Sequence, residues 1–216
     1  MKTTSILFVL LLCVSCNSSK SQNNTAKAID KMRVEYSRGH YSHVLRELDR
    51  IQPIAPSNYV IYEMRAWALH QMSEKRNDTT MILSNLNIAI ELAPLTASQS
   101  YYLRGIISDR LGSSDLAIKD YSTVISISPT NPDTFYSYVE RAILYGKQSN
   151  YVSAIHDAQR AAKLYPNKYT PYLIMAKAYH DMGELGEAAK CLTNAERMAP
   201  SNQLVIQMKQ ELGIKQ

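Results

Sequence analysis

Five imidazoles, His40, His43, His70, His156 and His180, are the side chains of this sequence most suited to metal binding or proton transfer at neutral pH, and only His40 and His43 stand close together. That pair straddles a turn and has no cysteine or carboxylate cluster beside it, so it falls short of the three or four donors that a zinc or catalytic centre needs. The chain has no glycine-rich phosphate loop, no G-x-S-x-G elbow and no H-E-x-x-H pair. Its Ser and Asp residues read as helix starts and exposed faces. The expectation is a chain that is not an enzyme, takes no cofactor or metal, and has no small-molecule substrate.

The cysteines carry a different chemistry. Met1 and Lys2 precede the nine apolar residues Ile6 to Val14, which Ser15, Cys16 and a polar stretch follow. Nine helical residues rise only about 14 Å, half of a hydrocarbon core, so residues 1–15 are expected to be a signal peptide and not a membrane span. The segment resembles a bacterial lipoprotein signal, in which cleavage leaves a diacylated cysteine as the new N-terminus. Cys16 fits this, with Ser15 and Val14 before it; the departure is Cys13 where that signal prefers Leu, with Leu12 one place further back. The resemblance implies lipidation at Cys16, a flexible tether over 16–24, and a protein exported and anchored to a bacterial membrane, the outer membrane facing the periplasm. An ordinary cleaved secretory signal is the alternative. Cys191 then remains as a lone thiol, expected to be half-buried on a helix.

The formal charge is +5, but Lys and Arg are interspersed with acids and form no run, which argues against a nucleic-acid surface. Seven Gly and eight Pro in 216 residues are too few for a fold built from many tight turns, and their placement is regular. Pro56, Pro94, Pro129, Pro166 and Pro200 follow one another at intervals of 38, 35, 37 and 34 residues, each closing an apolar helical segment. Within 169–202 come Tyr172, Met175, Ala176, Tyr179, Gly183, Ala188, Leu192, Ala195 and Pro200. Residues 98–131 repeat this with Tyr101, Gly105, Gly112, Ala117, Tyr121, Val124 and Pro129, and 135–168 with Tyr138, Ala142, Tyr145, Tyr151, Ala154, Ala158, Ala161 and Pro166.

This order of aromatic, small, glycine, alanine and proline positions resembles the tetratricopeptide repeat. The resemblance implies an all-α fold, a right-handed superhelix of helix-turn-helix repeats, with five repeats at 25–58, 59–96, 98–131, 135–168 and 169–202 and a C-terminal capping helix over 203–216. The second repeat needs about four extra residues around Glu74 to Asp78, and three more interrupt the register near Pro132. The first repeat is the weakest, since Met32 and Glu35 depart from the pattern. The physics agrees with the pattern. Two helices approach closely only over small residues such as Gly105, Ala142 and Ala176, glycine ends the first helix in the left-handed conformation, and proline ends the second.

In this family the first helix of each hairpin lines a concave groove that binds proteins. The resemblance therefore implies a groove of Arg33, Tyr36, Glu63, Trp67, His70, Tyr102, Ile106, Asp109, Arg110, Tyr136, Ile143, Lys147, Leu173, Lys177 and His180, with Val139 and Asp181 beside them. Aromatic and aliphatic anchors among charges of both signs suit an extended peptide or a helix of a partner protein. Trp67 reads either as an anchor for the partner or as packing between repeats. The expected function is a scaffold of the cell envelope. The alternatives are a structural subunit of an envelope assembly or secretion complex, and a glycan- or peptidoglycan-associated protein.

Overall fold

The structure, a computed structural model, describes residues 23–72 and 79–213; Cys13, Cys16 and the insertion around Glu74 to Asp78 lie outside them. The described residues form helices joined by short turns: α1 (23–37), α2 (Tyr41–Ile51), α3 (Tyr59–Met72), α4 (Thr79–Leu92), α5 (Ser98–Arg110), α6 (Ser114–Ile127), α7 (Pro132–Lys147), α8 (Tyr151–Leu164), α9 (Thr170–Asp181), α10 (Leu185–Met198) and α11 (Gln203–Glu211). No described helix is long and apolar enough to cross a membrane. The chain divides into two compact units, Met1–Ser100 and Tyr101–Gln216.

In the first unit Ile29, Met32, Val44, Leu48, Ile51, Ile61 and Tyr62 form one core, with Met64, Ala68 and Ala89 completing it. Met32, which departs from the repeat, fills that core through its flexible side chain. Glu35, the other departure, holds the turn after α1 by accepting from Arg38 at 3.0 Å and pairing with His40 at 2.7 Å. The imidazole of His40 and then the charge of Arg38 keep the Glu35 carboxyl below its ordinary pKa.

In the second unit the helices pack as successive hairpins, with α7 against both α8 and α9, and α9 against α10 and α11. The turns between first and second helices use a residue at positive φ, because only the left-handed conformation lets the chain reverse there while its N–H still bonds back to the helix. Gly112 (φ 77°) and Gly183 (φ 83°) supply it without strain, as Gly39 (φ 80°) does in the first unit, but the α7–α8 turn uses Ser149 at φ 60°. The three extra residues near Pro132 become the first turn of α7, where Asn131 accepts from the Asp133 N–H and Pro132 needs no partner for a missing donor. On α11 Val205 is buried, with Leu212 just after the helix buried beside it and Met208 packed against them, whereas Leu204 faces solvent.

Candidate protein-binding face

Each hairpin of the second unit is locked before its outer face can be used. At Gly105 a Cβ atom would lie 2.7 Å from the ring of the fully buried Tyr121, so glycine is what allows that large ring to sit on α5. The corresponding first helices carry Ala142 and Ala176, each completely buried, with the smaller Ala158 and Leu192 in place of Tyr121. Beside these contacts, Arg104 donates from Nε and Nη2 to the two Asp120 oxygens, both at 2.8 Å, and Arg141 donates likewise to Asp157 at 2.7 and 2.8 Å. Arg141 also reaches Ser122 Oγ of α6 at 2.7 Å, and its guanidinium lies over the rings of Tyr138 and Tyr145 at 5.7 and 5.8 Å. The aspartates are almost wholly inside, at 1% and 2% side-chain exposure, so these are desolvated, bidentate clamps and not surface pairs. Sequence reasoning passed over them; the signal was there, an Arg and an Asp 16 residues apart in two successive repeats.

With α5 and α7 fixed in this way, one stripe of each faces the other. Tyr102 and Tyr136 stand with ring centroids 6.4 Å apart, and Lys147 Nζ meets the Asp109 carboxylate at 3.2 and 3.3 Å. Between the aromatic and charged ends lies Glu140, half-buried, which the sequence reading did not select. Burial, then the negative charge of Asp109, raise its pKa, while Lys147 opposes them. Burial also raises the Tyr102 and Tyr121 phenols, with Glu140 adding to both, and it raises the Asp133 carboxyl at the start of α7.

From Lys147 the face continues as an open trough of about 470 Å³ between α7, α8, α9 and α11. Its floor is apolar, including Ile143, Leu173, Ile174 and Met208, and its rim carries Lys147, Lys177 and Asp181. Lys177 bonds Asp181 at 2.6 Å, and His180 approaches the same oxygen at 3.4 Å; desolvation raises the Asp181 pKa, but the hydrogen bonds and charges of Lys177 and His180 together outweigh it and hold the carboxyl below its ordinary pKa. Of the residues selected from sequence, Ile143, Lys147, Leu173 and Lys177 therefore share one depression, with Tyr102, Asp109 and Tyr136 continuing its line. Val139 is instead packed into the core with Phe135 and Ala161, and Arg110 is exposed at the end of α5. Ile106 is half-buried on α5.

The selected residues of the first unit serve mostly local roles. Arg33 is exposed and pairs with Asp30 at 3.0 Å, one turn away. Tyr36 stacks edge-on against Tyr41 and hydrogen-bonds Gln71. Glu63 is buried and accepts from the Ser100 N–H at 3.1 Å and from Ser100 Oγ at 2.7 Å, so its carboxylate is committed to the first turn of α5. Trp67 is half-buried and edge-on to His70 at 6.0 Å, and its buried indole N–H has no acceptor among the described residues. No group of three or more His, Cys, Asp or Glu side chains among the described residues is placed to hold a metal ion.

The hairpin geometry, the small-residue approach of Gly105, Ala142 and Ala176, and the positive-φ turns belong to a known repeat, and the profile of that family, the tetratricopeptide repeat, matches residues 98–131 and 169–202. Residues 98–131 and 169–202 are tetratricopeptide repeats. The two matched tetratricopeptide repeats hold α5 with α6 and α9 with α10, and the intervening hairpin of α7 and α8 has the same build. Solved structures share this fold. YrrB, described as a tetratricopeptide-repeat protein with an unusual peptide-binding site, superposes with a TM-score of 0.70 at 11% identity over 85% of this chain and 90% of its own. The MamA protein gives 0.67 at 15% identity over 89% of this chain and 97% of its own. MamA from residue 41 of Desulfovibrio magneticus RS-1 gives 0.68 at 15%, covering 83% and 97%. At these identities the likeness is one of fold. No curated protein sequence matches the chain.

Proposed function

We propose that this chain is a non-enzymatic scaffold of the cell envelope that binds a protein partner, as an extended peptide or a helix, along the α5, α7 and α9 face of its second unit. The observation that carries this reading is the open trough floored by Ile143, Leu173, Ile174 and Met208 and rimmed by Lys147, Lys177 and Asp181. Its apolar floor rewards burial of a partner's side chains, while the rim charges fix direction and register. YrrB, similar in fold, supports a peptide as occupant by its own description. The leader and Cys16 support an exported, lipid-anchored protein.

A photo-crosslinking side chain placed at Tyr136 or Lys177, both exposed, is expected to capture one stoichiometric partner in the native envelope. The same group at Val152, exposed on α8, is expected to capture none. Equal capture from Val152 would overturn the assignment of the face. Radiolabelled palmitate is expected to enter the wild-type chain and not Cys16→Ala, and label in both would remove the anchor from this reading.

A further inference from the structure

Glu140 occupies the wrong chemical slot for its sequence position. It is the sixth residue of the repeat 135–168; the sixth residue of 98–131 is Leu103, completely buried, and that of 169–202 is Ile174, packed against the apolar core. In the second repeat the same place holds Met64, also buried. A carboxylate therefore stands where the other three repeats after the divergent first put an aliphatic side chain; the first has Asp30 there, but exposed. Burial of a charge without a counter-charge is unfavourable, and such a residue in an otherwise consistent repeat marks a place where function opposes stability.

The chain offsets this charge only in part, through the charge of Lys147. Lys147 is held by Asp109, and Arg141, next in sequence, is held by Asp157 and Ser122. Glu140 makes no hydrogen bond or ion pair among the described residues, and the second carboxylate nearby, Asp109, adds like charge. Tyr136 lies one turn before Glu140 on the same face of α7, the Glu140 charge acts on the Tyr102 phenol of α5, and the two rings stand 6.4 Å apart; aromatic faces attract cations. Carboxylate, aromatic faces and partial access to solvent together are complementary to one kind of group.

Building on the peptide-binding reading above, we infer that the face around Glu140, beside Tyr102 and Tyr136, receives a single basic side chain, lysine or arginine, projected by a peptide partner whose apolar residues lie in the trough that starts at Ile143 and Lys147. The cation completes the pairing that Glu140 lacks, and Tyr102 and Tyr136 cover its stem. This makes Glu140 a specificity determinant: it rejects a partner with an aliphatic or acidic residue at that place, because such a partner leaves the carboxylate buried and unpaired.

The test uses the full chain and an arrayed library of random dodecapeptides, N-acetylated and C-amidated so that no terminus supplies charge. Peptides retained by the wild type are expected to share one Lys or Arg flanked by apolar positions. Replacing that residue by norleucine is expected to weaken binding about 10- to 100-fold, the range of a charge-assisted hydrogen bond. Glu140→Gln is expected to lose the same factor for the basic peptide and almost nothing for the norleucine peptide, giving a coupling between the two residues. A second readout needs no ligand: Glu140→Leu, which restores the residue of the preceding repeat, is expected to raise the melting temperature while abolishing the basic preference. A lower melting temperature would make Glu140 structural and overturn the inference. Retained peptides that depend on the trough, by their loss in Ile143→Asp, but show no basic preference would overturn this inference and leave the peptide-binding reading standing. If no peptide is retained, or Ile143→Asp changes nothing, both fail.

Discussion

The hairpin of α7 and α8 and the hairpin of α9 and α10 solve one packing problem in two ways. In the first, Arg141 and Asp157 form a buried bidentate pair; 34 residues later the same two positions hold Met175 and Cys191, which pack with Ala142, Ala154 and Ala178. Both hairpins keep their small residue, Ala142 or Ala176, and both close on a left-handed turn. What the repeat demands at these two places is volume and reach, since either chemistry fills the space. The ion pair adds directionality, because a guanidinium and a carboxylate satisfy each other in one arrangement only, and it adds vulnerability, because neither can be lost alone.

The sharpest way to break that comparison is to remove one partner. Asp157→Asn strands the Arg141 charge and is expected to destabilise the second unit by about 3–5 kcal/mol in denaturant unfolding. The double change Arg141→Met with Asp157→Cys installs the pair of the next hairpin and is expected to restore most of that loss; a double variant as unstable as the single one would show that the Ser122 and tyrosine contacts of Arg141 carry the stability instead. Gly105→Ala drives a methyl into the Tyr121 ring and is expected to cost about 1–3 kcal/mol, read as a lower melting temperature. Ala142→Gly removes a buried methyl as well as helix propensity and is expected to cost about 1–2 kcal/mol.

Two smaller effects test the charges and turns. Burial and Asp109 hold the Glu140 pKa above its ordinary 4.5, so the folded chain binds its proton more tightly than the unfolded one. The contribution of Glu140 to stability is therefore greatest below 4.5 and is lost as pH rises through its folded pKa. The wild type minus Glu140→Gln difference in stability is expected to follow this course, with Lys147 opposing it from α7 and Asp133 excluded because it is common to both proteins. In the turns, Ser149→Gly relieves the positive φ of a non-glycine residue but loosens the unfolded chain, for a net gain of about 0.5 kcal/mol. Gly112→Ala, at the matching turn, is expected to lose about 1 kcal/mol.

The repeat was legible because it is written in local rules. Prolines at intervals of 34 to 38 residues, glycines at helix ends and small residues where helices meet each have a meaning that does not depend on distant contacts. The face was legible only in part. Position in the repeat placed Ile143, Lys147, Leu173 and Lys177 in one trough, but it offered Glu63 and Val139 on the same footing, and these are buried, Glu63 by its bonds to Ser100 and Val139 by the core around Phe135. A repeat rule averages over members and so cannot see which neighbour a given side chain finds.

By itself, then, the sequence determined the all-helical class, the hairpin unit and the residues that end each helix, because backbone preferences and apolar periodicity act over a few residues. The tertiary structure decided which charges are spent inside and which remain for a partner. Arg104 and Arg141 look like surface cations in the sequence and are clamps in the fold; Glu140 looks like a surface acid and is a half-buried carboxylate with no hydrogen bond or ion pair among the described residues. Electrostatic pairing depends on distances of a few ångströms between residues 16 or more positions apart, and only the packing of one hairpin on the next sets those distances.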